Sequence, residues 1–139
     1  MTSRLTSFYP VLLSADVAAA SEFYEKRLGF RRAFTSESYV HLQHAEHADV
    51  NLALLDANHD TVPPEQRTPT RGVIINIEVE NVDSEYARLR DQAEIVLGLR
   101  DEPWGQRHFI LRGPDEILID IITPIPPSEQ FAAGYEHGA

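Results

Sequence analysis

The feature that most constrains this chain is a repeat. Apolar Phe8 to Leu13 suits a buried strand, and the junction SADV at Ser14–Val17 leads from it into a helix. Sixty-five residues on, GVIINIEVE at Gly72–Glu80 reads as another strand, and VENV at Val79–Val82 leads into another helix. In the first copy Asp16 stands where an N-cap belongs, Ala18, Ala19 and Ala20 favour helix, and Gly29 is a natural stop. Val17, Ala20, Phe23, Tyr24 and Leu28 recur at spacings of three and four, so one stripe packs inward. In the second copy Asn81 and Asp83 offer caps to a helix running through Ala93, striped by Val82, Tyr86 and Leu89.

Three strands follow each helix. In the first copy they are Phe30–Thr35, Ser38–Gln43 and Val50–Leu55, broken by the polar turns SES and HAEHAD. In the second they are Ile95–Leu99, Arg107–Leu111 and Glu116–Ile122, the last two joined by a GPDE turn at Gly113–Glu116. The order strand, helix, three strands, met twice, predicts an α+β fold of two βαβββ units, about 6–55 and 72–123. Neither unit can bury its own sheet face. The two are expected to cup a mixed β-sheet around a cavity, helices on the outer face. The Pro-rich segment 56–71 reads as a linker within one domain over 1–125, and 126–139 as a tail with little to hold it, although Phe131 and Tyr135 could dock.

Bulk properties exclude several functions. The chain has 139 residues and a formal net charge of −10, with Lys26 its one lysine, so it lacks the clustered cations that phosphate backbones require. Neither nucleic acid nor an anionic membrane is an expected partner. The field would favour a cationic ligand, although excess carboxylate also simply keeps a protein soluble. No apolar run is long enough to span a bilayer, and MTSRLTSFYP lacks a signal core. With no cysteine there is no disulfide, thiolate nucleophile or Cys-ligated metal. A cytoplasmic protein is the expectation.

Three segments carry a resemblance to a family. LLSADVAAASEFYEKRLGF at Leu12–Phe30, INIEVENVDSEYARLR at Ile75–Arg90 and PWGQRHFILRGPDEILIDI at Pro103–Ile121 stand in the order and spacing of the vicinal oxygen chelate superfamily. That superfamily unites glyoxalases, bleomycin-resistance proteins and extradiol dioxygenases. The resemblance covers roughly 6–124 and implies the glyoxalase/bleomycin-resistance fold and a homodimer. It does not choose an activity, since the fold hosts isomerases, lyases, dioxygenases and metal-free drug binders.

The resemblance also implies where a divalent ion would be held in the metalloenzymes. Those positions carry Tyr9, Asn51, Ile74 and Asp120 here. Asp120 is a good hard-cation ligand, Asn51 a weak one, Ile74 has no donor, and Tyr9 would have to lose a proton of pKa about 10. A catalytic site needs about three strong ligands, so no metal cofactor is expected. A slipped register pairing Glu78 with Asp120 is the metal-binding alternative. His41, His44 and His47 run from a strand into a turn, where a spacing of three alternates faces. His59 falls in the linker, His108 on a strand and His137 in the tail. The chain has no H-E-x-x-H, no G-x-S-x-G and no Gly-rich phosphate loop.

The expected function is therefore sequestration of an aromatic or amphipathic small molecule, in the manner of the bleomycin-resistance type. Asp120, alone in ILIDII, either anchors a ligand or pairs with a group such as Arg107. Trp104 either stacks on a ligand or plugs the core or a dimer contact. Arg107 and Phe109 share a strand face, and Arg107 could clamp an anion. Tyr9, Asn51 and Asn76 would complete the pocket. The alternative is a metal-dependent lyase, isomerase or dioxygenase, and a metal-free enzyme would use Asp120 or Glu78 as general base.

Overall fold

The computed structural model describes residues 3–136, so His137 and the last residues of the tail lie outside the described chain. The chain falls into two compact units, Met1–Arg71 and Gly72–Ala139, each one copy of the repeat.

In the first unit β1 (Val11–Ser14) is followed by α1 (Val17–Leu28), β2 (Phe30–Thr35), β3 (Tyr39–His44) and β4 (Asn51–Asp56). The strands form one mixed sheet in the order β1-β4-β3-β2, parallel between β1 and β4 and antiparallel elsewhere. Asp16 caps α1 through Ala19 N–H at 3.0 Å, and Gly29 ends it at φ 76°, where a side chain would be strained. Tyr24 and Leu28 bury against Phe30, Val40, Leu42, Leu52 and Leu54, the core of this unit. Burial of each such side chain contributes roughly 1.5–3 kcal/mol. β1 begins later than the apolar run suggests. Phe8 is exposed, and Pro10 has no N–H to give a sheet, although its carbonyl accepts from Ala53 N–H at 2.9 Å.

The second unit repeats the plan with β5 (Ile74–Glu78), α2 (Val82–Leu89), β6 (Glu94–Glu102), β7 (Gln106–Arg112) and β8 (Leu118–Pro124). The sheet order is β5-β8-β7-β6, again with one parallel pair. Asn81 caps α2 through Ser84 N–H. The helix stops at Leu89 instead of reaching Ala93, because the apolar stripe ends there. Gln92 and Ala93 turn back to the Leu89 carbonyl. β6 is longer than expected, and its register slips between Ile95 and Leu97 and again between Leu97 and Arg100, which hid its alternation. Asp115 and Glu116 in the GPDE turn both take left-handed backbone, at φ 59° and 66°.

The described part of the tail is better held than its composition suggested. Ile125 N–H donates to Gly105 O at 2.9 Å, and Ser128 N–H to Pro103 O at 2.8 Å. The single turn α3 (Glu129–Ala132) then brings Phe131 edge-on to Trp104, and the Tyr135 hydroxyl donates to the Trp104 carbonyl.

Candidate functional site

Strand alternation sorts the second sheet into two faces. α2 covers one. Tyr86 packs edge-on to Phe109 at 5.0 Å, Asp83 accepts from Arg107 at 2.8 Å, and Val82 N–H donates to Thr123 Oγ1 at 2.9 Å. The intervening residues, among them His108, Ile110, Asp120 and Ile122, point away from the helix. On this far face His108 Nδ1 is 2.8 Å from Asp120 Oδ1, and Nε2 is 2.8 Å from Glu102 Oε2. Arg100 Nε donates to the same Glu102 oxygen at 2.7 Å. His108, Glu102 and Asp120 are all buried, and Trp104 stands edge-on to His108 at 6.5 Å.

This is an ionic chain across three strands. Burial alone would depress the His108 pKa, but hydrogen bonds to Glu102 and Asp120 and their charges outweigh it and raise it. Burial raises Asp120 above the ordinary aspartate value, against the pull of His108. Hydrogen bonds from His108 and then Arg100 lower Glu102. Such a chain can hold a proton on the far face and can present an anionic oxygen to a polar guest.

Four of the expected site residues in this unit share the region and two do not. Asn76 is the register partner of Asp120, and Glu78 that of Ile122, so both lie on the far face and both are exposed. Trp104 sits in the β6–β7 turn with its indole N–H given to Gln106 Oε1 at 2.8 Å. Arg107 and Phe109 do share a face, but it is the helix face. Arg107 is committed to Asp83 and Asp101 and not to Asp120, and Phe109 is wholly buried in the core. Their placement as pocket-wall residues beside Asp120 is thus corrected. Alternation tells which residues share a face, not which face the helix takes.

The residues missed were His108, Glu102 and Arg100. A signal for the first existed. Counting back from the GPDE turn pairs Arg112 with Leu118 and Ile110 with Asp120, which puts His108 one diagonal step from the lone carboxylate.

In the first unit α1 covers the face of Leu42 and Leu54, and Glu25 of α1 pairs there with Arg32 at 2.8 Å. The far face carries Tyr39, His41, Gln43 and Asn51. His41 Nε2 lies 2.9 Å from Asn51 Oδ1, which also accepts from Gln43 Nε2 at 3.3 Å. The Asn51 amide donates to Ala48 O at 3.0 Å. Tyr9 stands edge-on to His41 at 4.6 Å, and burial followed by a hydrogen bond to Tyr9 pushes the Tyr39 phenol up. His44 lies instead against Phe30 on the helix face.

These contacts test the donors a divalent ion would need. The Asn51 oxygen is taken by His41 and Gln43, and an Asp120 oxygen by His108. Both His108 nitrogens face carboxylates, and Ile74 offers nothing. Among the described residues no group of three His, Cys, Asp or Glu is arranged to hold a metal. These donor atoms are thus engaged with one another. Among the same residues no helix is long and apolar enough to cross a membrane.

The family model described as "Glyoxalase/Bleomycin resistance protein/Dioxygenase superfamily" matches residues 7–121. The chain belongs to this superfamily. Solved structures share its fold. A glyoxalase/bleomycin resistance protein/dioxygenase from Nocardioides is 26% identical, with TM-score 0.72 over 90% of this chain and 87% of that one. A bleomycin resistance determinant encoded on transposon Tn5 is 21% identical, with TM-score 0.61 over 86% of this chain and 98% of that one. The bleomycin-binding protein of bleomycin-producing Streptomyces verticillus, solved with copper(II)-bleomycin, is 19% identical, with TM-score 0.61 over 88% and 98%. The last two likenesses show the fold alone. No curated protein matches the chain.

Proposed function

We propose that this superfamily member is a metal-free protein that sequesters an aromatic or amphipathic small molecule, as a cytoplasmic homodimer. One observation carries the reading. The one strong metal donor that the resemblance points to, Asp120, is bound to a histidine that is itself bound to Glu102. Each unit's far face carries groups suited to a guest: the rings of Tyr9 and Tyr39 in the first unit, and in the second the exposed Asn76, with Trp104 in the turn beside His108. Sparse hydrogen-bonding groups among apolar ones are the usual make-up of a small-molecule pocket. The net charge of −10 supports a cationic guest. The Tn5 and Streptomyces proteins suggest which drug to try first.

Trp104 is the only tryptophan and is part-exposed, so its emission reports directly. Bleomycin, metal-free and as the copper(II) complex, is titrated into the protein and Trp104 emission followed. A saturable change at one ligand per chain supports sequestration. Unaltered emission, with no heat of binding for bleomycin or a panel of planar cationic antibiotics, overturns it.

A further inference from the structure

His108 meets a carboxylate oxygen at each ring nitrogen, both at 2.8 Å. A neutral imidazole has one N–H. With both carboxylates ionised, one contact would then set a nitrogen lone pair against an anionic oxygen. Two hydrogen bonds therefore require a second proton in the trio. On His108 that proton makes an imidazolium, and with Arg100 the four groups carry two positive and two negative charges. Losing it leaves one net negative charge in a place almost closed to water, where charge is costly.

The groups that bear on His108 come from each neighbouring strand. They are Arg100 and Glu102 of β6, Asp120 of β8, and Glu78 of β5 one strand further out. Arg112, with Glu94 and Glu116, lies at the opposite end of β7. The two carboxylates are not equivalent. Glu102 has Arg100 as a second cation, so it can leave His108 and stay paired, whereas the ion pairs of Asp120 consist of His108 alone among the described residues. Glu102 is also two positions before Trp104, and its carbonyl accepts from Gly105 N–H at 3.1 Å.

We propose that Glu102–His108–Asp120 is a proton-operated latch on the β6–β7 turn. With two protons on the ring it ties β6, β7 and β8 together and holds Trp104 against His108. When one proton leaves, the Glu102 contact becomes repulsive and opens, and the turn bearing Trp104 loosens. The raised His108 pKa agrees with that geometry.

The test uses the intact protein without ligand. Trp104 emission and the His108 ring proton resonances are followed from about pH 5.5 to about pH 9. A nearby imidazolium quenches indole emission. The expected result is a one-proton rise in emission, centred above the ordinary histidine value of about 6.5 and matching the His108 resonance. His108→Gln should lack the rise. Glu102→Gln removes one anion and keeps the histidine, so its midpoint should fall by about one pH unit or more. A His108 midpoint at or below the ordinary value in the unmodified protein overturns the latch. So does an emission transition that stays in place in Glu102→Gln.

Discussion

His108 and Asp120 face one another on the diagonal of the β7–β8 ladder. Asp120 is in register with Ile110 and His108 with Ile122, yet Nδ1 and Oδ1 lie 2.8 Å apart. Diagonal neighbours on one face come within reach when the side chains are long enough. This contact bears on how the far face of the second unit can be used, because it engages one oxygen of the carboxylate there.

Removing the histidine should therefore be costly. His108→Ala leaves Asp120 and Glu102 buried without the cation they share, and breaking a buried pair typically costs about 3–5 kcal/mol. Urea unfolding should show a loss near the lower end, since Arg100 still covers Glu102. A variant as stable as the parent would contradict the ionic assignment.

Stability should also depend on pH in two windows. His108 is raised on folding, so its contribution is complete below the unfolded value of about 6.5 and is lost as pH climbs through the folded value. Glu102 is lowered, so its contribution is present above the ordinary carboxylate value and lost on acidification. Denaturant midpoints measured across pH should fall on both sides of a neutral-to-mildly-acid maximum. The alkaline limb should vanish in His108→Gln.

The helix face gives a control. Phe109→Ala should cost about 3–5 kcal/mol, as expected for a fully buried phenylalanine. Arg107→Ala removes its pairs with Asp83 and Asp101 and should lower the melting temperature slightly while leaving bleomycin titrations unchanged. Loss of binding in Arg107→Ala with the fold intact would put the ligand on the wrong side of this sheet.

Gly105 links the turn to the tail. Its φ is 111°, and a Cβ there would lie 2.8 Å from Ile125 O and 3.3 Å from Tyr135 Oη. Gly105→Ala should destabilise the protein and expose the tail, seen as faster proteolysis after Pro124. Unchanged proteolysis would mean that the tail is not held there.

The fold was legible because its signals are local. A cap at Asp16, a stop at Gly29 and alternation in IINIE and HFILR each depend on a few neighbouring residues. Asp120 stood out because a carboxylate in ILIDII is expensive to bury. What surrounds it depends on contacts remote in sequence. His108 is 12 positions away and reads as an ordinary strand residue until the turn register is counted. Glu102 and Arg100 lie in a strand whose slips in register erase the alternation that would have placed them. Phe131 reaches Trp104 from a segment whose composition gives no hint of a partner.

Calorimetry on protein stripped with chelator tests the central claim most directly, with nickel, zinc, manganese or iron(II) titrated first and bleomycin afterwards. No stoichiometric heat from any of the ions, followed by one-to-one binding of the drug, is the predicted result. Uptake of one tightly held ion per chain, abolished in Asp120→Ala, would contradict it and make this protein a metal-dependent member of its superfamily.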